Sequence, residues 1–235
     1  MSYLDTASGN VVSNLSVDQR AGFIRRTYSH VAMAIAFMAV SCAFLLQIGA
    51  GQILAPLMYG STMGFLITFG LFVGAGILAD RWARSEQSTT MHYIALLGYA
   101  FVEAVIVVPA LYIATLYFPS AIMNAAVTTA ALVAGLTYIA FTTKKDFSFL
   151  GPYIKMAMFV GIGTVLAGVL FNFNIGTFGI GLFVMLAAAC VLYSTSNIIH
   201  VYREHQHVAA ALGLFASIAF MFRFVLQLFM SFGDD

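Results

Sequence analysis

Long stretches of this chain carry almost no charge, and that decides what it can fold into. Seven such runs, about 27–48, 54–78, 91–118, 120–142, 153–173, 177–200 and 207–232, are each at least 20 residues long. A helix rises about 1.5 Å per residue, so about 20 apolar residues cross the roughly 30 Å hydrocarbon core of a bilayer. The runs are continuous rather than alternating, which excludes a membrane β-barrel. Composition agrees, with 62% hydrophobic and only 8% charged residues, against roughly 25% charged in ordinary globular domains. A soluble enzyme or a nucleic-acid binder could not cover its surface with so few polar side chains. The net charge of +1 gives no global field toward acidic partners. The expected fold class is all-α: a polytopic membrane protein built as a seven-transmembrane-helix bundle.

Breakers mark several of the ends: Gly49 and Gly51, Pro119, Pro152, and Gly176 with Gly179. Pro56 and Pro109 fall inside the second and third spans, where a kink is tolerated. Ser16-Val17-Asp18-Gln19 has capping-box spacing, so a helix is expected to begin there and run into the first span. Residues 1–26 read as a tail plus the start of that helix, with 1–15 flexible. Residues 27–232 read as the membrane domain, and 233–235 as a short external end. The first 30 residues lack an early apolar segment and contain Asp5, Asp18, Arg20, Arg25 and Arg26. They do not resemble a signal peptide, and the first span is expected to stay.

Charge sets the orientation. Nine of the ten Lys and Arg residues fall on one side of this topology: Arg20, Arg25 and Arg26; Arg81 and Arg84; Lys144, Lys145 and Lys155; and Arg203. The positive-inside rule then places the N-terminus in the cytoplasm and the C-terminus outside.

The tenth cation, Arg223, lies within the seventh span, and Glu103 lies near the middle of the third. An unpaired charge there costs about 3 kcal/mol on insertion scales. Both spans run inside to outside, so the two sit at similar depth. The expectation is a Glu103–Arg223 ion pair facing the bundle interior. It is either a static pair that fixes packing or a proton or cation relay gated by its breaking. It requires the side chains to lie within about 6 Å of each other.

All five histidines, His30, His92, His200, His205 and His207, lie near the cytoplasmic boundary, which argues against haem ligation across the bilayer. His200, His205 and His207 cluster with Arg203 and Glu204 in the last connection. The expectation there is a solvated loop facing headgroups, with a pH-responsive loop or a metal site as alternatives. A retinal protein needs a lysine within a span, and the three lysines here are all near one face. Cys42 and Cys190 lie in apolar runs and read as packed small residues. Gly60/Gly64 and Gly70/Gly74 have the spacing that lets helix backbones approach. HExxH, GxSxG and Walker A motifs are absent from the sequence. No catalytic group, cofactor or metal is expected.

Two segments carry a family resemblance. They are Thr-Thr-Lys-Lys-Asp-Phe-Ser-Phe-Leu-Gly at 142–151, with Lys144, Lys145, Asp146 and Ser148, and Leu-Tyr-Ser-Thr-Ser-Asn-Ile-Ile-His at 192–200, with Ser196, Asn197 and His200. They resemble the Bax inhibitor family, and in particular its bacterial YccA-like branch. The last span has the family's apolar character but matches less well. The resemblance implies a central helix wrapped by the others. For the YccA-like branch it implies binding to the membrane AAA protease FtsH with its HflK/HflC partners, and moderation of membrane-protein degradation. For other members it implies a pH-sensitive calcium leak gated by paired acids in spans six and seven. Here those positions fall on Ser194 and Ser217. Serine can neither supply the carboxylate that calcium favours nor titrate near neutral pH.

The resulting expectation is a non-enzymatic, multi-pass protein of the bacterial inner membrane that binds the FtsH–HflK/HflC assembly. The alternatives are a calcium or proton leak, or an accessory subunit of another membrane complex. A water-filled path past Glu103 would favour transport, and a dry bundle would favour interaction.

Overall fold

A computed structural model describes residues 11–83, 89–143, 145–171 and 176–233. Among them, eight α-helices follow one another: α1 (Val17–Gln47), α2 (Ala50–Tyr59), α3 (Thr62–Ala83), α4 (Thr89–Tyr117), α5 (Pro119–Thr142), α6 (Leu150–Phe171), α7 (Gly176–His200) and α8 (His207–Phe232). Six of them, α1 and α4 to α8, are long and apolar enough to cross a membrane alone. The α2–α3 pair, taken as one bent span, raises the number to seven.

The second span differs from the continuous helix expected at 54–78. It is broken, and α2 and α3 meet at 105°. At 10 residues, α2 is about 15 Å long, too short to cross; at 22 residues, α3 is about 33 Å long. The corner has a local cause. The Gly60 amide donates to the Pro56 carbonyl at 2.9 Å, and a Cβ on Gly60 would lie 2.3 Å from that oxygen. The Ser61 hydroxyl then accepts from the Gly64 amide at 3.0 Å, the bond by which a serine caps a helix start. Gly60 and Gly64 therefore build a corner rather than a helix–helix contact. Gly70 and Gly74 face open space.

At the other ends sequence and structure agree closely. Ser16 and Gln19 form the full capping box, and α1 starts at Val17. Gly49 and Gly176 take positive φ, +78° and +66°, next to helix ends. Pro152 lies within the first turn of α6 instead of ahead of it. An amide there has no helical acceptor to lose.

The N-terminal segment is a correction to the flexible tail expected at 1–15. Residues 1–10 lie outside the described part, but Val11–Leu15 is docked. Val11 bridges to Arg203, the Val12 amide donates to the Tyr202 carbonyl at 3.1 Å, and Val12 is fully buried. Arg20 ties the segment to α1 through the Ser13 carbonyl at 3.3 Å. A polar composition suggested disorder, but one valine and one backbone bond anchor the segment.

Two helices form the centre. Of the most apolar stretch, 61% is buried in both α4 and α8, against 11–28% in the other four crossing helices. α8 packs against α1, α3, α4, α5 and α7, whereas α6 lies at the periphery against α7. Small residues allow the approach: Ala209, Ala210 and Ala211 on α8, and Ala95, Ala100, Ala104 and Ala114 on α4, are buried. In lipid such contacts hold by van der Waals packing, because the surrounding chains are as apolar as leucine. Leu212, Leu214, Phe215 and Met221 of α8 fill the remaining space.

Candidate functional site

The most buried ionisable group sits between the two central helices. Glu103 lies midway along α4 and is 1% exposed. Arg223 reaches it from α8, its Nη2 donating to Oε2 at 2.7 Å. The hydroxyl of Tyr99, one turn earlier on α4, donates to Oε1 at 2.7 Å. Both carboxylate oxygens are thus satisfied. The guanidinium carbon sits 4.2 Å from the centroid of the Phe72 ring on α3, and Phe72 stacks on Phe220 at 5.9 Å. Arg223 Nε is buried without a hydrogen-bond partner among the described residues. The arrangement desolvates both charges and compensates them by one charge-assisted bond, one neutral donor and a cation–π contact. Neutralising Glu103 would remove the attraction that holds Arg223 in an apolar setting.

A second polar contact lies between α7 and α8. Ser194 and Ser217 meet hydroxyl to hydroxyl at 2.7 Å. Ser217 also donates to the Gly213 carbonyl of its own helix at 3.1 Å, which leaves Ser194 to donate to Ser217. The two positions where the resemblance puts paired acids are in direct contact here and uncharged.

The two sequence motifs also meet. The Phe147 amide donates to the Ser196 hydroxyl at 2.9 Å, and the Ser148 hydroxyl donates to Asn197 Oδ1 at 3.1 Å. Asp146 Oδ1 accepts from the Ser148 amide at 2.8 Å and from the Ser196 hydroxyl at 3.4 Å. It also lies 3.7 Å from His200 Nδ1. The bonds from Ser148, then the nearby imidazole and Ser196, hold the Asp146 carboxyl below its ordinary range. This clasp fastens the α5–α6 connection to the end of α7. Lys145 lies in the connection and is exposed; Lys144 lies outside the described residues. Although the clasp contains Asp, His and Ser, it is no hydrolytic triad. Ser196 and Asp146 both approach Nδ1 of His200, whereas a relay needs one partner on each ring nitrogen.

The expected histidine group at the last connection divides. His200 joins the clasp, while the His207 ring lies 5.2 Å from that of His30. Among the described residues, no group of three or more His, Cys, Asp or Glu side chains is placed to hold a metal ion. Cys42 and Cys190 are free and buried.

Sequence reasoning missed Tyr99, Phe72 and Tyr93, whose hydroxyl lies 2.7 Å from His30 Nε2. Tyr99 was within reach, since residues four apart share one helix face. Phe72 depends on how α3 lies across α8, which no local spacing encodes.

These features define a class: an all-helical, multi-pass membrane protein with a buried charged pair between two central helices. The match to known proteins then gives the family. The model for the family described as "Inhibitor of apoptosis-promoting Bax1" matches residues 20–234, and the chain belongs to this Bax inhibitor family. The uncharacterized protein PA2604 of Pseudomonas aeruginosa is 37% identical over 118 residues, covering 49% of this chain and 53% of that protein. The chain thus matches only about half the length of that relative. The uncharacterized protein Cj0236c of Campylobacter jejuni is 27% identical over 216 residues, covering 90% of this chain and 89% of its own. The Golgi anti-apoptotic protein of vaccinia virus is 23% identical over 221 residues, covering 94% and 90%.

Proposed function

We propose that this protein is a non-enzymatic regulator of the bacterial inner membrane whose Glu103–Arg223 pair gates a proton or cation leak. The observation that carries this reading is the 2.7 Å ion pair, 1% exposed at its carboxylate, at the centre of the bundle. Ionisable groups at membrane depth typically serve ion pathways or proton relays. In this gate the Glu103 carboxylate is the proton acceptor, because arginine keeps its proton. Tyr99 positions the carboxylate. Ser194 and Ser217 close α7 onto α8 without charge, so a calcium site built from paired acids is not available there. The basic residues of the tail and connections support a cytoplasmic N-terminus, and relatives in two bacteria support the inner membrane.

The test is proton and cation flux in liposomes containing the full chain. Glu103→Gln changes the flux under this reading. Flux identical to wild type, from a protein shown to be folded, removes Glu103 from the gate.

A second reading is supported by the close packing of α4, where Ala100, Ala104, Val107 and Val108 are buried. In this reading the bundle binds and moderates the FtsH protease with HflK/HflC. A gentle-detergent pull-down from native membranes with mass spectrometry tests it. Recovery of that assembly supports protease modulation; recovery of the protein alone supports the leak.

A further inference from the structure

Four phenyl rings form a band across one flank of the bundle, from α3 to α6. Phe72 of α3 stacks on Phe220 of α8 at 5.9 Å. Phe220 meets Phe224 edge-on at 4.9 Å, and Phe224 stacks on Phe183 of α7 at 4.6 Å. Phe183 in turn lies against Gly161 of α6, where a Cβ would come within 2.8 Å of its ring. All four rings are partly exposed. The helices at the two ends of the band do not close over it. α3 packs against α2, α4 and α8, and α6 against α7, but α3 and α6 do not pack closely on each other. A Cβ on Gly76, one turn beyond Phe72, would meet no atom within 4 Å. The result is a groove with a phenyl floor and banks on α3 and α6. Lys155 stands on the α6 bank, at the basic end of the bundle. It follows the buried Ile154 by one residue, a step of about 100° that a right-handed helix takes here toward α8. Lys155 is exposed and takes part in no ion pair among the described residues. Asp146, the acid nearest to it in sequence, is held in the clasp.

We infer that this groove binds an anionic phospholipid from the leaflet at the basic end of the bundle: Lys155 takes the phosphate, and an acyl chain lies over Phe183, Phe220 and Phe224. The depths fit. Gly161 is six residues past Lys155, about 9 Å deeper along α6. The lysine stem lets the ammonium reach back toward the headgroups. One leaflet holds about 15 Å of hydrocarbon, half of the bilayer core. A chain whose phosphate meets the ammonium therefore ends at the phenyl band. Charge selects the headgroup, because Lys155 has no carboxylate to compensate it, and basic positions between helices on the cytoplasmic side hold anionic headgroups. The floor selects a lipid over a protein helix. Helix–helix contact in a bilayer favours small residues, whereas rings offer an acyl chain apolar area and ask for no hydrogen bond. The site uses neither Ser194 nor Ser217 and does not depend on whether Glu103 gates a leak.

Native mass spectrometry of the full chain in detergent tests this, with phosphatidylglycerol and phosphatidylcholine of identical acyl chains as probes. The first phosphatidylglycerol is expected to bind about fivefold more tightly than phosphatidylcholine, the weight of one lysine facing an anionic headgroup. Lys155→Gln removes that preference, and Lys145→Gln, in the α5–α6 connection, keeps it. Gly76→Leu places a side chain in the open space and weakens the binding of both lipids. Should that variant fail to fold, the wild type is reconstituted with phosphatidylglycerol carrying a photoreactive group at the end of one acyl chain. Label is then expected on peptides covering 176–190 and 214–226. Equal affinity of the wild type for the two lipids overturns the inference. So does a preference that survives Lys155→Gln, or undiminished lipid binding in folded Gly76→Leu. Label confined to other helices, or a crosslink from Lys155 to another protein's helix instead of lipid, overturns it as well.

Discussion

Arg223 and Glu103 meet at 2.7 Å although 120 residues separate them in sequence. The contact couples the two central helices more specifically than their alanine-rich packing could. Rotating either helix would leave a charge in an apolar surround, so the pair fixes the register of α4 against α8.

Removing one partner is therefore expected to cost far more than removing both. Arg223→Met leaves a buried carboxylate with only Tyr99 for company, and a loss of about 3–5 kcal/mol is typical of such broken pairs. Glu103→Leu/Arg223→Met replaces the pair by apolar groups of similar size and should recover most of that stability. Thermal unfolding of purified protein in detergent measures both. A melting temperature in Arg223→Met equal to wild type would mean that the pair adds nothing to the register.

The Asp146 clasp should respond to acid in a defined direction. Its carboxyl is held below the ordinary value by Ser148, His200 and Ser196. A depressed carboxyl stabilises the fold above its unfolded pKa, roughly 4. That contribution is lost as pH falls through the lowered folded value. Asp146 is more than half exposed, so the effect is local rather than global. Exchange protection over residues 145–151 should fall in the wild type as pH drops below the ordinary carboxylate range. In Asp146→Asn it should be flat. A protection profile in Asp146→Asn that matches wild type would place the acid response elsewhere.

The Ser194–Ser217 contact is neutral and short, and its energetic weight should be that of one ordinary hydrogen bond. Ser194→Ala and Ser217→Ala are each expected to cost about 1 kcal/mol. Because they share one bond, the double variant should cost less than the sum. A chemical-denaturation cycle in mixed micelles gives the coupling directly. Strict additivity would show that the two hydroxyls do not depend on each other.

The fold was largely legible because charge-free runs of membrane length leave few alternatives, and the Ser16–Gln19 cap marked the true start of α1. The break at Gly60–Ser61 was not, because a glycine and a serine within an apolar run read as continuous helix until the corner is formed. Glu103 and Arg223 stood out as rare charges at similar depth, and their cost in lipid suggested a pair. Tyr93 and the His30–His207 contact were hidden, since they join residues of α1, α4 and α8 that no sequence spacing relates. The docking of Val12 was hidden for the same reason, as it rests on one carbonyl of the last connection.

That docking separates two consequences of shortening the N-terminus. Deleting residues 2–10 leaves Val11–Leu15 in place. Deleting residues 2–15 also strips the buried Val12 and its bond to Tyr202. Burial of a valine is worth about 1.5–3 kcal/mol, and the backbone bond adds about 1 kcal/mol. The longer deletion should therefore melt lower than the shorter one. If the FtsH protease engages this chain tail first, the shorter deletion should lengthen its lifetime in cells with active protease. Pulse-chase measurements beside melting curves distinguish the cases. An unchanged lifetime after the shorter deletion counts against capture by the tail. Equal melting of the two deletions would mean that Val12 contributes no stability to the bundle.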